Sequence, residues 1–313
     1  MKGNGIMRNK FIVIMGLLIF SCGKNDDPIL FKFNNGGLER SYLLHIPNNL
    51  KPGSPLVFVL HGLGGTADGI RKYSQMDKVA DENGFVVCYP QGTGGSVDTK
   101  YTKKGTPFWN VGYEVHKNET VNDIEFIINL ALFLQKKYNL DPEKTFCSGM
   151  SNGGDMSYLL GCQASDVFRA IAPITGCMME SIYSSCNSNN PVPVFHVHGT
   201  SDNTTYYNGD EDNSDGWGAY MSVENTIKLW VNRNECKTTI IDTLPNIDMD
   251  DGSIVVTYKN INGLNKNEVW FYKIIDGDHE WPQGWPKDSG NQDLNTSFEI
   301  WNFFNHYIEQ RKI

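Results

Sequence analysis

Apolar and polar positions follow three patterns along this chain. Continuous apolar runs occur at Pro55-Leu56-Val57-Phe58-Val59-Leu60, Phe85-Val86-Val87-Cys88-Tyr89, 170–175 and 192–197. Short runs without a polar face suit strands buried on both sides, as in a parallel sheet. The stretch Arg40–Ile46 alternates and stops at Pro47, as a half-buried strand does. Residues 144–148 and 269–275 predict two further strands. Val121, Ile124, Ile127, Ile128, Ala131, Leu132 and Leu134 fall near one helical stripe. Further helices are predicted from the turn at 149–154 through Leu160, over 221–231 and over 297–310. The segment 237–254 reads as a hairpin around Asp251-Gly252. Strands alternating with helices predict an α/β fold, with a mainly parallel, doubly wound sheet and helices on both faces.

The start of the chain has a different character. Lys2, Arg8 and Lys10 precede an apolar stretch, Phe11–Phe20, that is too short to span a bilayer as a helix. Ser21-Cys22 then follows. A small residue before a cysteine, after an apolar core, resembles a bacterial lipobox. Residues 1–22 are therefore expected to be a signal peptide, with Cys22 lipidated. An ordinary signal peptide with an incidental cysteine is the plainer alternative. Residues 23–37 read as a linker, with room for a first edge strand at its end, and 38–313 as one catalytic domain. The polar Gly23-Lys24-Asn25-Asp26-Asp27 resembles the acidic export signal of surface lipoproteins in Bacteroidetes-like bacteria. This predicts an exported protein, at the outer membrane, cell surface or periplasm, with free secretion as the alternative. Its membrane contact would be the lipid at Cys22 alone.

Composition narrows the partners. The 313 residues are 40% hydrophobic and 20% charged, which is a globular balance, and net charge is −9. The basic residues form only short pairs such as Lys103-Lys104. Nucleic acid is thus excluded as a partner, and neutral or weakly charged substrates are favoured. A monomer is expected. Export makes disulfides available. Cys88 and Cys147 lie in apolar strand-like runs and read as buried small hydrophobes. Cys177 and Cys186 flank a Ser/Asn-rich loop and are the expected pair. No cysteine or histidine spacing suggests a metal site.

One turn carries the chemistry. Thr145-Phe146-Cys147-Ser148 leads into Gly149-Met150-Ser151-Asn152-Gly153-Gly154. A sharp strand-to-helix turn forces a nucleophile into unusual backbone angles, and glycine neighbours avoid the clashes that follow. Ser151 is the expected nucleophile. A serine hydroxyl needs a base, and the base an orienting acid, in the chain order Ser, Asp/Glu, His. Of the downstream histidines, His196 and His198 precede any acid that fits this order, and His306 lies in the final helix. His279, in a loop directly after a strand, is the expected base. Asp202, a few residues past the strand 192–197, is the expected acid. Asp210, Asp212 and Asp215 read as a solvated loop, and Asp276 and Asp278 come too close before the base. The oxyanion donors are expected to be the backbone N–H groups of Asn152 and of Leu63, in His61-Gly62-Leu63-Gly64-Gly65. His61 reads as a brace for that loop.

These motifs together resemble the polyhydroxybutyrate-depolymerase-like esterases, which overlap carbohydrate esterase family 1 with its feruloyl and acetylxylan esterases. The resemblance rests on Arg40-Ser41-Tyr42, Leu60–Gly65, Tyr89-Pro90-Gln91-Gly92, Val121-Asn122-Asp123-Ile124, Gly149–Gly154, Phe168–Pro173, Val194–Asp202 and His279-Glu280-Trp281-Pro282. It implies the α/β-hydrolase fold, the triad Ser151, Asp202 and His279, and no cofactor. Trp109, Trp217, Trp281 and Trp285 cluster near the motifs, and exposed aromatics suit stacking on sugars or phenolic acids. Trp109, Trp281 and Trp285 are taken as candidate substrate contacts, with Trp281 also suited to packing the His279 loop. The expected activity is release of feruloyl or acetyl side-chain esters from xylan. A polyester depolymerase is the alternative. An acyltransferase and a non-catalytic carbohydrate-binding lipoprotein are readings from other classes.

Overall fold

The computed structural model describes residues 29–286 and 290–310. The signal peptide and Cys22 lie outside the described residues. In chain order the elements are β1 (Phe31–Asn35), β2 (Leu38–His45), β3 (Leu56–Leu60), α1 (Ala67–Ser74), α2 (Met76–Asn83) and β4 (Val86–Pro90). A small ladder, β5 (Thr93–Gly94) with β6 (Pro107–Phe108), precedes α3 (Asp123–Tyr138), β7 (Thr145–Met150) and α4 (Asn152–Gln163). Then come β8 (Ala170–Ile174), α5 (Glu180–Ser185), β9 (Val194–Gly199), α6 (Val223–Arg233), β10 (Thr238–Thr243), β11 (Ile254–Ile261), β12 (Val269–Ile275) and α7 (Thr296–Glu309).

Ten strands form one sheet in the order β1-β2-β4-β3-β7-β8-β9-β12-β11-β10. The centre, β4 through β12, is parallel, and an antiparallel pair of strands flanks it on each side. The all-apolar runs are these central strands. Alternate residues of β3 explain why: Leu56, Phe58 and Leu60 pack with α3, α4 and α6, while Val57 and Val59 pack with α1, α2 and α7. A strand covered on both faces has no polar position to spare. No helix among the described residues is long and apolar enough to cross a membrane.

The sequence pattern misplaces some pieces. The first edge strand allowed for in the linker does form, at 31–35, paired with β2. The hairpin forms, but as β10 with β11, and Asp251-Gly252 ends the connecting loop rather than making a tight turn. Cys186 pairs with Cys162 rather than with Cys177. Cys162 sits near the end of α4, 24 residues before Cys186. Helix packing, which sequence spacing does not reveal, brings them together. Cys88 and Cys147 are fully buried free thiols, as their apolar settings predict. Closing a loop of this length restricts the unfolded chain, so the double substitution Cys162→Ala/Cys186→Ala is expected to cost about 3 kcal/mol. Denaturant melts, with reductant reproducing the loss in the parent protein, measure it; an unchanged midpoint in both arms would contradict the pairing.

Candidate active site

All the chemistry-bearing residues leave the carboxyl ends of parallel strands. His61 to Gly65 follow β3, Ser151 follows β7, Asp202 follows β9 and His279 follows β12. In an open α/β sheet this edge is where ligands gather.

Ser151 occupies φ 55°, ψ −125°, a conformation rarely adopted by a residue with a side chain. Its N–H donates to Ile174 O at 2.9 Å, and its carbonyl starts α4 by accepting from Asp155 N. The two glycines on either side are sterically required. A Cβ on Gly149 would lie 2.3 Å from Gly153 O, and one on Gly153 would lie 2.4 Å from Leu60 O. The turn is this tight because strand and helix press together under the serine.

Asp202 and His279 meet through two stitched loops. Ser201 N donates to Gly277 O at 2.9 Å, and Asp276 N donates to Thr200 Oγ1 at 2.9 Å. Gly199 permits this approach, since a Cβ there would lie 2.2 Å from Gly277 O. As a result His279 Nδ1 donates to Asp202 Oδ2 at 2.8 Å. Asp202 Oδ1 accepts from Thr204 N and Thr205 N, each at 2.8 Å. Burial alone would raise the Asp202 pKa, but hydrogen bonds from His198 and His279 outweigh it and hold the carboxyl well below its usual range. The acid is thus an ionised acceptor, and Nδ1 is the protonated nitrogen of His279. Its Nε2 is left with the lone pair a base requires.

Ser151 and His279 line one cavity of about 380 Å³. Leu63 and Met150 lie beside them, while Tyr113, Cys177, Met179, Trp217 and Tyr220 contribute to the wall. The expected oxyanion donors are placed accordingly. Leu63 borders the cavity, and its N–H donates to no backbone carbonyl among the described residues. Asn152 opens α4, so its N–H is among the first-turn donors without a helical partner. The Asn152 side chain is buried and clasps the Trp109 backbone, with Oδ1 accepting from Trp109 N at 2.7 Å and Nδ2 donating to Trp109 O at 3.0 Å. His61 braces the neighbouring loop as expected. Burial pushes its pKa down to about 4, so the ring is neutral: Nδ1–H donates to Gly62 O at 2.7 Å and Nε2 accepts from Gly92 N at 2.9 Å.

The tryptophan assignments need correction. Trp109 is completely buried and donates Nε1–H to His61 O at 2.9 Å, so it supports the 61–65 loop from behind and cannot stack on a ligand. Trp281 is also buried, with Nε1–H on Ser297 Oγ, and packs the His279 loop against the body. Trp285 is 58% exposed but does not border the cavity. Trp217 does border it. Its ring stacks on Tyr101 at 4.2 Å between centroids and meets Tyr113 edge-on at 5.5 Å. Asp210, read as part of a solvated loop, is buried. It staples the loop that carries Trp217 by accepting from Ser214 N at 2.7 Å and Asp215 N at 3.0 Å. Asp155 and Tyr113 escaped the sequence reading. Asp155 is buried one turn past Ser151, and desolvation pushes its pKa up to about 6. It accepts from the Tyr113 hydroxyl and from Cys177 N, tying together two parts of the cavity wall. Its position four residues after the serine was the available signal; Tyr113 offered none.

The fold is that of the α/β-hydrolases. A model of the prolyl oligopeptidase family matches residues 71–226, about half of the chain. The chain is 30% identical over 171 residues to a bifunctional acetylxylan esterase/xylanase of Neocallimastix patriciarum, across 55% of this chain and 22% of that protein. It is 29% identical to feruloyl esterase B of Piromyces equi, across 58% of this chain and 33% of that one. The match therefore spans a third or less of these two relatives' own length. Feruloyl esterase D of Neurospora crassa is 24% identical over 88% of this chain and 84% of its own. Among solved structures, an acetyl xylan esterase from Aspergillus awamori superposes with a TM-score of 0.59 at 16% identity, over 88% of this chain and 99% of that one, a likeness of fold. The resemblance to feruloyl and acetylxylan esterases drawn from the motifs thus holds.

Proposed function

We propose that this chain is a serine carboxylic ester hydrolase that removes feruloyl or acetyl side chains from xylan-type polysaccharide. The observation that carries the reading is the 2.8 Å bond from His279 Nδ1 to Asp202, in a ring that shares one cavity with the strained Ser151. In the first stage His279 takes the Ser151 proton as the serine oxygen attacks the ester carbonyl. The N–H groups of Leu63 and Asn152 hold the oxyanion. The bond to the sugar oxygen breaks, and the alcohol leaves with the proton from His279. Water then repeats the sequence on the acyl-serine and releases the acid. Asp202 orients the imidazole and stabilises its charged form. The export and the lipid anchor at Cys22 expected from the sequence belong to this proposal, since the substrate is extracellular.

Product release from methyl ferulate, acetylated xylan and polyhydroxybutyrate, assayed side by side, tests it. Ferulate or acetate should dominate; preferred release of hydroxybutyrate would replace it with the depolymerase reading. The aromatic wall favours the feruloyl group. A planar phenolic acyl group stacked on Trp217 gains burial that an acetyl group does not. Trp217→Ala should therefore lower kcat/KM for methyl ferulate roughly ten- to a hundredfold. Turnover of p-nitrophenyl acetate should change far less, and equal losses on both esters would remove Trp217 from substrate recognition.

A further inference from the structure

His196 and His198 do not border the cavity; both are completely buried, and His198 lies against Asp202. Together they form a chain of side chains. Tyr158 Oη lies 3.0 Å from His196 Nδ1, His196 Nε2 lies 3.2 Å from His198 Nδ1, and His198 Nε2 lies 3.3 Å from Asp202 Oδ2. The protons can be assigned by elimination. His198 Nε2 faces two acceptors, Asp202 Oδ2 and Thr205 O, the latter at 2.8 Å. A bare nitrogen there would set lone pair against lone pair in a site closed to water. Nε2 must therefore carry a hydrogen.

We propose that His198 is a positioning residue for the catalytic acid, its Nε2–H holding Asp202 Oδ2 in line with His279 Nδ1. This rests on the assignment of Ser151, Asp202 and His279 as the reacting set. Oδ2 then has two nitrogen donors, one from each side, and Oδ1 is fixed by two backbone N–H groups. Every direction in which the carboxylate might rotate is closed. The second donor also draws charge from the oxygen that His279 uses, which tempers the basicity that Asp202 lends to the imidazole. The titratable and charged groups around this pair are His196 from β9, Lys273 in register with His198 on β12, Tyr207 with its ring 6.1 Å from His198 and its hydroxyl on Glu224 of α6, Cys177 after β8, Tyr158 and Asp155 on α4, and His279 itself. Burial and the neighbouring His198 both keep His196 well below its usual pKa, so it stays neutral, with Nδ1–H facing Pro173 O at 3.0 Å and Nε2 left to accept from His198 Nδ1.

Two substitutions and one spectrum test this. In His198→Phe, kcat on methyl ferulate should fall roughly ten- to a hundredfold, the scale of one lost hydrogen bond to a charge, with little change in KM. The acid limb of the kcat/KM profile should move to higher pH, because Asp202 then gives His279 more of its charge. His198→Gln, whose amide N–H can reach Oδ2, should restore much of both. A merely structural role would lower activity only through lost folded protein and leave the pH profile in place. Superimposable profiles, or a Gln variant no better than Phe, would overturn the proposal. In case His198→Phe does not fold, nitrogen-15 NMR of the parent protein reads the same claim: a His198 ring with unprotonated Nε2 refutes it. The two readings fail separately. An active Ser151→Ala protein would remove the reacting set while leaving the His198 proton where the spectrum finds it.

Discussion

Ser151→Ala is expected to lower turnover of p-nitrophenyl acetate by about 10⁶-fold, the scale seen when the nucleophile of a cooperating triad is removed. The Ser151 hydroxyl is carried by a backbone at φ 55° that only a strand–turn–helix crowded against Gly149 and Gly153 sustains. Strain of about 1–3 kcal/mol persists where the surroundings over-determine it, and such sites are functional more often than not. Alanine keeps the Cβ and therefore the same backbone demands. The variant should melt within about 0.5 kcal/mol of the parent. Activity and stability are thereby separated: a folded protein without turnover is the expected result. Turnover within tenfold of the parent would place the nucleophile elsewhere and remove the assignment of Ser151, Asp202 and His279 as the reacting set. An undiminished affinity for oligosaccharide in the same protein would be consistent with a cavity that recognises sugar independently of catalysis.

Asp202→Asn is expected to lower kcat by about 10⁴-fold, the scale known for a triad acid replaced by its amide. Asparagine has nearly the same shape, and its oxygen can still accept from Thr204 N and Thr205 N at the Oδ1 position. Its amide nitrogen then takes the place of Oδ2. That nitrogen points its hydrogens at His279 Nδ1–H and His198 Nε2–H, so donors meet donors. His279 can relieve the clash by moving its proton to Nε2, which removes the lone pair that should accept from Ser151. The substitution also costs stability at neutral pH. The folded pKa of Asp202 is depressed, so its contribution is complete above the unfolded value, about 3.9, and is lost as pH falls through the folded one. Melting temperature measured from about pH 6 down to about pH 2 should show the parent and variant curves parallel above about pH 4 and converging below it. Curves that stay parallel below about pH 4 would mean that Asp202 is not held ionised by its partners.

The reach of sequence reasoning differed between parts of the molecule. The parallel strands were legible because burial on both faces leaves an uninterrupted apolar run, and β3 and β4 are entirely buried. The helices α1 and α2 were not resolved in the sequence: they are eight residues each, with little room for a period to declare itself. The disulfide was misassigned because local loop composition suggested a near pairing, whereas α4 delivers Cys162 from a different layer. Trp109 and Trp281 looked like ligand contacts because proximity to a motif does not say which side of it a side chain occupies. Both turn inward, where an indole nitrogen finds a buried acceptor.

The strand–turn–helix around Ser151, the sequence of Asp202 before His279 on loops after strands, and the α/β class are all written in local stretches of chain. These depend on local sterics and on periodicity, which are properties of short segments. Long-range packing is what sets Gly199 against Gly277 so that Asp202 meets His279, stands His198 behind Asp202, and turns Trp217 rather than Trp109 or Trp285 to the cavity. Those outcomes depend on contacts between segments distant in the chain. No local pattern records them, because the partner that selects each side chain's direction is supplied by the packing of another element.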